Sequence, residues 1–185
     1  MTSNQKVAVV TGAGTGIGKS AALHLLADGY SVALAGRRVQ NLEEVVAESG
    51  VSNSKAIIMP TDVGNLEDVK KLFDAIKSTY GRLDVLFNNA GIGAPRVPFE
   101  DLSLEEWQKV VDTNLTGSFL CSQHAIKIMK DQTPMGGRII NNGSIAAYAP
   151  RPDGVAYTST KHAISGLTKQ ISLDRRKYNI ASSQI

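Results

Sequence analysis

The sequence predicts an α/β fold, a doubly wound parallel sheet with helices on both faces. Three observations lead there. Short β-branched runs alternate with longer amphipathic segments almost without interruption from residue 6 onward, the pattern of strand–helix–strand units with right-handed crossovers. The first four of those runs are nearly continuous in apolar character, as strands covered on both faces require. A glycine-rich turn, "TGAGTGIG", then joins the first run directly to an apolar helical segment.

Taken in order, "KVAVV" (6–10) is the first strand, followed by a helix over 16–28. "SVALAG" (31–36) leads to a helix over 39–48, and "KAIIM" (55–59) to one over 65–79. "LDVLFNN" (83–89) precedes a long helix over 103–130, and "GRIINN" (137–142) another over 155–177. "NIASSQI" (179–185) reads as a sixth strand. Two helix starts support this register. Ser103 followed by Glu106 is a capping-box pattern, and Asn65 precedes Glu67 and Asp68 at the positive end of a helix dipole. With no linker, repeat or low-complexity stretch, residues 1–185 count as one domain.

The chain has 185 residues, 42% hydrophobic and 20% charged, which suits a globular domain. Its formal charge of +3 balances 20 Lys and Arg against 17 Asp and Glu, too even to point to nucleic acid or a membrane surface. The single cysteine, Cys121, lies in an apolar helical pattern, reads as a buried thiol, and suggests a reducing compartment. No apolar run approaches the ~20 residues of a bilayer span. "MTSNQK" lacks the apolar core of a signal peptide. A cytoplasmic location is expected, and no metal site.

The motifs sit where strands end. Glycines in a strand-to-helix turn let the backbone approach a ligand, and the helix start offers free N–H groups to a pyrophosphate. In "AGRR" the second strand ends on Gly36, Arg37 and Arg38, cationic where an adenosine ribose would lie, which favours a 2′-phosphate over a bare hydroxyl. Asn114 interrupts an otherwise apolar helix and would need partners if buried. Ser144 ends the fifth strand, and thirteen residues on comes "YTSTK", which sets Tyr157 and Lys161 on one helical face. Alone, that last motif reads as an amphipathic helix; near a cofactor, the ammonium would favour ionised tyrosine. His24, His124 and His162 are at no strand end and read as surface or core residues.

The glycine spacing T-G-x-x-x-G-x-G resembles the short-chain dehydrogenase/reductase family, and the resemblance runs from about residue 6 to residue 185. It implies a Rossmann-type domain in which Gly12, Gly16 and Gly18 shape the turn under the pyrophosphate, with Thr11, Gly14 and Ile17 as lesser contacts. Gly36 stands where NAD-dependent relatives commonly carry Asp, so NADP(H) is favoured and NAD(H) is the alternative. Asp62 and Val63 look like the adenine-contacting pair, a turn aspartate being the other reading. Asn88, Asn89, Ala90 and Gly91 match the N-N-A-G motif that steadies the sheet and contacts the nicotinamide-side ribose.

Asn114, Ser144, Tyr157 and Lys161 match the family's catalytic tetrad in order. The resemblance implies that Asn114 opens its helix and binds a water through its carbonyl. It implies too that Lys161 holds the ribose, and that Tyr157 is the acid or base for carbonyl and alcohol interconversion. A small-molecule carbonyl or alcohol substrate is expected, with a homodimer or homotetramer built through the helices over 103–130 and 155–177. A nucleotide-binding protein without turnover is the alternative function, and epimerase or dehydratase chemistry a third. The chain stops in the sixth strand, before the substrate-covering segment and the seventh strand the family usually has. The expectation is that the functional protein is longer.

Overall fold

The computed structural model describes residues 5–52 and 54–185. The first four residues, on which the signal-peptide reading partly rests, lie outside the described residues, as does Asn53. Six strands form one sheet: β1 (Val7–Thr11), β2 (Ser31–Gly36), β3 (Ala56–Pro60), β4 (Val85–Asn88), β5 (Gly137–Asn141) and β6 (Ile180–Gln184). Their spatial order is β3-β2-β1-β4-β5-β6, and every pairing is parallel. Register is fixed at the centre by Val9 facing Ala33 on one side and Leu86 on the other.

Side-chain alternation along β1 divides the core. Val7 and Val9 pack with Leu72, Phe73 and Ile76 of α3 (Leu66–Tyr80), Met129 of α5 (Gly117–Asp131) and Ile171 of α6 (Val155–Arg175). Ala8 and Val10 pack on the other face with Ala22 and Leu26 of α1 (Gly16–Ala27) and Leu42 of α2 (Val39–Ser49). Leu34, Leu72, Leu86 and Ile139 are fully buried, and truncating any to alanine should cost about 2–5 kcal/mol. Strand order reverses between β1 and β4, which opens a crevice at their carboxyl ends, the place where open α/β sheets bind ligands.

The long helix expected over 103–130 is interrupted. It forms α4 (Leu104–Val111), a wide π turn over Asp112–Thr116, and then α5. The cause is Asn114, which is buried and turned toward neighbours instead of solvent. Its amide nitrogen donates to the Ile92 carbonyl at 2.9 Å and to Thr160 Oγ1 at 3.3 Å, while its Oδ1 accepts from Ile92 N at 2.8 Å. The Ser118 hydroxyl donates to the Asn114 carbonyl at 2.9 Å. A side chain anchored across the fold and a hydroxyl on the helical carbonyl fit the bulge.

At the helix starts, Asn65 Oδ1 accepts from the N–H groups of Glu67 and Asp68. Ser103 caps Glu106 N at 3.2 Å, but the Glu106 carboxylate pairs with Lys109 at 3.0 Å, so only half of the expected capping box forms. The last helix ends at Arg175 and tightens into a 3₁₀ turn, and Asn179, at φ 55°, turns the chain into β6.

Candidate active site

The turn between β1 and α1 is drawn tightly against the segment after β4. Gly12 has φ 65°, and a Cβ there would lie 3.0 Å from Ala90 Cα and from Asn89 Nδ2, so any other residue is both strained and crowded. A Cβ on Gly18 would strike the Gly12 carbonyl oxygen and come within 2.5 Å of Asn89 Nδ2. Gly16 opens α1, whose first turn holds no acidic residue and no side-chain cap. The N–H groups at that helix start are therefore unopposed.

A cavity of about 300 Å³ runs along this edge. Gly12, Gly14 and Ile17 line it from the turn; Gly36, Arg37 and Arg38 from the end of β2; Asp62 and Val63 from the loop after β3; Asn89, Ala90 and Gly91 from the loop after β4. Sequence reasoning did not single out Thr15, Asn41, Leu42, Thr61, Ile92 and Thr113, which complete its wall. Neither Arg37 nor Arg38 joins an ion pair among the described residues. Asp62 is partly occupied locally, its Oδ1 accepting from Gly64 N at 3.0 Å. Glycine backbone, an unopposed helix start and two unpaired guanidiniums make a donor set that fits a dinucleotide phosphate.

Six expected contact residues do not line the cavity: Thr11, Gly18, Asn88 and Lys161 are buried, Gly16 is exposed, and Tyr157 lines a second cavity. Thr11 is buried, and its hydroxyl accepts from the N–H groups of Asn89 and Ala90, both at 3.0 Å, and donates to the Phe87 carbonyl at 3.3 Å. It ties β1 to the end of β4. Asn88 Nδ2 donates to Asn141 Oδ1 at 2.9 Å and Ser122 Oγ at 3.0 Å, and Asn141 Nδ2 donates to Thr168 Oγ1 at 2.9 Å. This buried polar row joins β4, β5, α5 and α6.

Ser144 and Tyr157 meet in a second cavity of about 330 Å³ beside the first. Ser144 leaves β5 and caps a 3₁₀ turn over Ile145–Ala147, its Oγ accepting from Ala146 N at 3.1 Å. Tyr157 lies one turn into α6. Lys161, one helical turn further, is buried at 6% exposure. Its Nζ lies 5.4 Å from the centroid of the Tyr157 ring and donates to the Asn142 carbonyl at 2.7 Å. Burial disfavours the ammonium and holds the Lys161 pKa below the ordinary lysine value.

Asn142 was not foreseen by sequence reasoning, which took it as the tail of a strand. Its Nδ2 donates to Asn89 Oδ1 at 3.0 Å, and Asn89 Nδ2 donates to the Thr11 carbonyl at 2.9 Å. One residue thus touches Lys161 by its carbonyl and the glycine-turn support by its amide. The doubled Asn in "NNGS" was the available signal.

The remaining titratable candidates are elsewhere. His24 and His162 are exposed and bond to helical carbonyls one turn back. His124 stacks on Phe73 at 5.6 Å, and burial lowers its pKa. Cys121 is fully buried, its thiol pushed up to about 12, so it is inert. Among the described residues no group of three or more His, Cys, Asp or Glu could hold a metal ion, and no helix is long and apolar enough to cross a membrane.

Comparison with known proteins agrees in one direction. Residues 6–185 match the short chain dehydrogenase family. The chain is 37% identical over 182 residues to a 3beta-hydroxysteroid dehydrogenase of Mediterraneibacter gnavus, covering 98% of this chain and 65% of that protein. It is 38% identical over 176 residues to the uncharacterized oxidoreductase YohF of Escherichia coli, covering 95% and 69%. A crystal structure of 3-ketoacyl-(acyl-carrier-protein) reductase from Brucella melitensis complexed with NADH superposes with a TM-score of 0.91 at 30% identity, over 97% of this chain and 73% of that one. The chain spans about two thirds of the length of these curated relatives.

Proposed function

The chain belongs to the short-chain dehydrogenase family, and on that premise we propose that it is an NADP(H)-preferring oxidoreductase interconverting a carbonyl and a secondary alcohol. The observation that carries the reading is the shared cavity of Ser144 and Tyr157, with the Lys161 ammonium 5.4 Å from the tyrosine ring and a glycine-floored cavity alongside. Gly12, Gly14 and Ile17 would hold a pyrophosphate, and Arg37 and Arg38 a 2′-phosphate. The NADH-bound Brucella relative supports a nicotinamide cofactor, and "AGRR" supports the phosphorylated form.

A nicotinamide cofactor, when bound, supplies or accepts the hydride. The protein's task is to manage the charge and the proton at the substrate oxygen. Ser144 Oγ donates a hydrogen bond to that oxygen. Tyr157 Oη gives it a proton in reduction and takes one in oxidation. The Lys161 ammonium, 5.4 Å from the centroid of the Tyr157 ring, sets a positive charge beside that transfer. Asn142 holds the ammonium, and buried Asn114 shapes the helix that faces it.

The direct test follows NADPH oxidation by purified protein against a carbonyl panel, with NADPH and NADH titrated separately. Turnover, and at least about tenfold tighter NADPH binding that Arg37→Asp abolishes, is the expected result. Tight cofactor binding without turnover, with Tyr157→Phe indistinguishable from the parent, would favour a nucleotide-binding protein instead. Association into a homodimer or homotetramer through α5 and α6 is part of the proposal, favoured by exposed Phe119 and Leu173 on those helices. Light scattering at monomer mass would overturn that part.

A further inference from the structure

The second cavity extends beyond the proton-transfer pair. Arg96 enters its wall from the segment after β4, and Arg151 from the loop before α6. Both arginines are exposed, and both line the space that Ser144 and Tyr157 line. We propose that this space is an anion-recognising subsite, and that the substrate is a carbonyl or alcohol compound bearing a carboxylate or phosphate held by Arg96 and Arg151. The inference rests on the dehydrogenase reading and deepens it.

Charge balance is the first support. Six ion pairs occur among the described residues, and neither Arg96 nor Arg151 takes part in any. Arg82 shows the contrast: its guanidinium is bonded to Asp84 at 2.6 Å and serves the fold. One carboxylate, Asp153, lines the cavity and opposes one arginine, which leaves an excess of positive charge. The start of α6 enters the same wall at Gly154 with no acidic residue in its first turn and no side-chain cap, and adds to the same sign.

Shape is the second. Ala94, Ile145, Ala146 and Pro152 form the apolar part of the wall, and the volume of about 330 Å³ suits a compact compound. Such a substrate lays its carbonyl oxygen against Ser144 and Tyr157, its carbon body along these apolar residues, and its anion at the arginines. Arg96 and Arg151 stand on the wall of one cavity, and two forked cations there can share one oxyanion.

The test uses matched pairs that differ only in charge: para-formylbenzoate against its methyl ester, and glyceraldehyde phosphate against glyceraldehyde, each with NADPH. The free anion of at least one pair should have a kcat/KM about tenfold or more above its neutral partner, expressed mainly in KM. Arg96→Ala and Arg151→Ala should each shrink that ratio toward about twofold, while Arg96→Lys and Arg151→Lys keep part of it. Preference confined to the first pair assigns a carboxylate, and to the second a phosphate. Equal use of both members of both pairs, or ratios unmoved by the alanine variants, overturns the subsite while leaving the dehydrogenase reading intact. Absence of turnover with every carbonyl overturns both.

Discussion

The two ends of the sheet carry similar polar side chains and use them differently. At the amino end, Asp84 Oδ2 accepts from Val7 N at 2.8 Å and from Arg82 Nε at 3.0 Å. Gln132 closes the same end, its Oε1 accepting from Leu83 N at 2.7 Å and its Nε2 donating to the Leu83 and Gly136 carbonyls. Each group there is satisfied by neighbouring backbone or its own ion pair. At the carboxyl end, Thr11, Asn88 and Asn89 are likewise bonded within the chain, yet they support residues that face open cavities. Satisfied polar groups set the fold. Groups left facing space are the ones available for chemistry.

Substitutions at the two ends should therefore separate activity from stability. The largest effect belongs to Tyr157→Phe, which removes the proposed proton donor and no internal contact of its hydroxyl. Carbonyl reduction should fall about 10³-fold, within the range for loss of a general acid, with the melting temperature unchanged. A variant that loses stability in proportion to activity would make Tyr157 a packing residue instead.

Lys161→Met comes next and should move the two properties in opposite directions. Activity should drop about 10²-fold because the positive charge beside the Tyr157 ring is lost. Burial lowers the Lys161 pKa, so below that pKa the folded chain bears an ammonium at a cost that the unfolded chain does not. That cost is relieved as pH rises from the folded pKa toward 10.5, the unfolded value. Stability of the parent should thus climb over that window, and Lys161→Met should be at least as stable at neutral pH and lack the climb. Thermal melts across pH decide it; a parent less stable at alkaline than neutral pH through this window would reverse the assignment.

These contrasts also mark what the sequence could reveal. Strand and helix positions were readable because apolar periodicity and the Gly12 turn are local signals, and all six strands of the parallel sheet stand where those signals put them, while their spatial order came from the structure. The resemblance pointed to Asn114 as the residue that opens its helix, but the partners that hold the break at Asp112–Thr116, Ile92 and Thr160, are distant in sequence and were not legible. For Asn142 the doubled Asn was the one local signal, its partners lying 53 positions before and 19 after it. Thr11 was expected among the cofactor contacts by its place in the glycine motif, and only the β1–β4 pairing reveals that its hydroxyl is bonded inward to the end of β4.

At the amino end, Asp84→Ala should cost about 2 kcal/mol of stability, since it leaves Val7 N and the Arg82 guanidinium without their partner. Denaturant unfolding measures this, and kcat/KM at a temperature where the variant is folded should match the parent. A loss of activity out of step with stability would mean that the two ends are coupled through β1 and β4.

The smallest effect, and the sharpest probe of the boundary between the two behaviours, is Asn142→Leu. Only the side-chain bond to Asn89 is removed, because the carbonyl that holds Lys161 belongs to the backbone. One neutral hydrogen bond is worth about 1 kcal/mol, so NADPH binding should weaken roughly fivefold through loss of support under the glycine turn. The pH dependence of kcat should stay where it was, since Lys161 keeps its acceptor. Asn142→Asp keeps an oxygen but loses the donor to Asn89, and should resemble the leucine variant in cofactor affinity. If either variant shifts the pH profile while leaving NADPH affinity alone, the side chain acts by steering its own carbonyl toward Lys161, and Asn142 belongs to the proton-transfer group instead of the cofactor support.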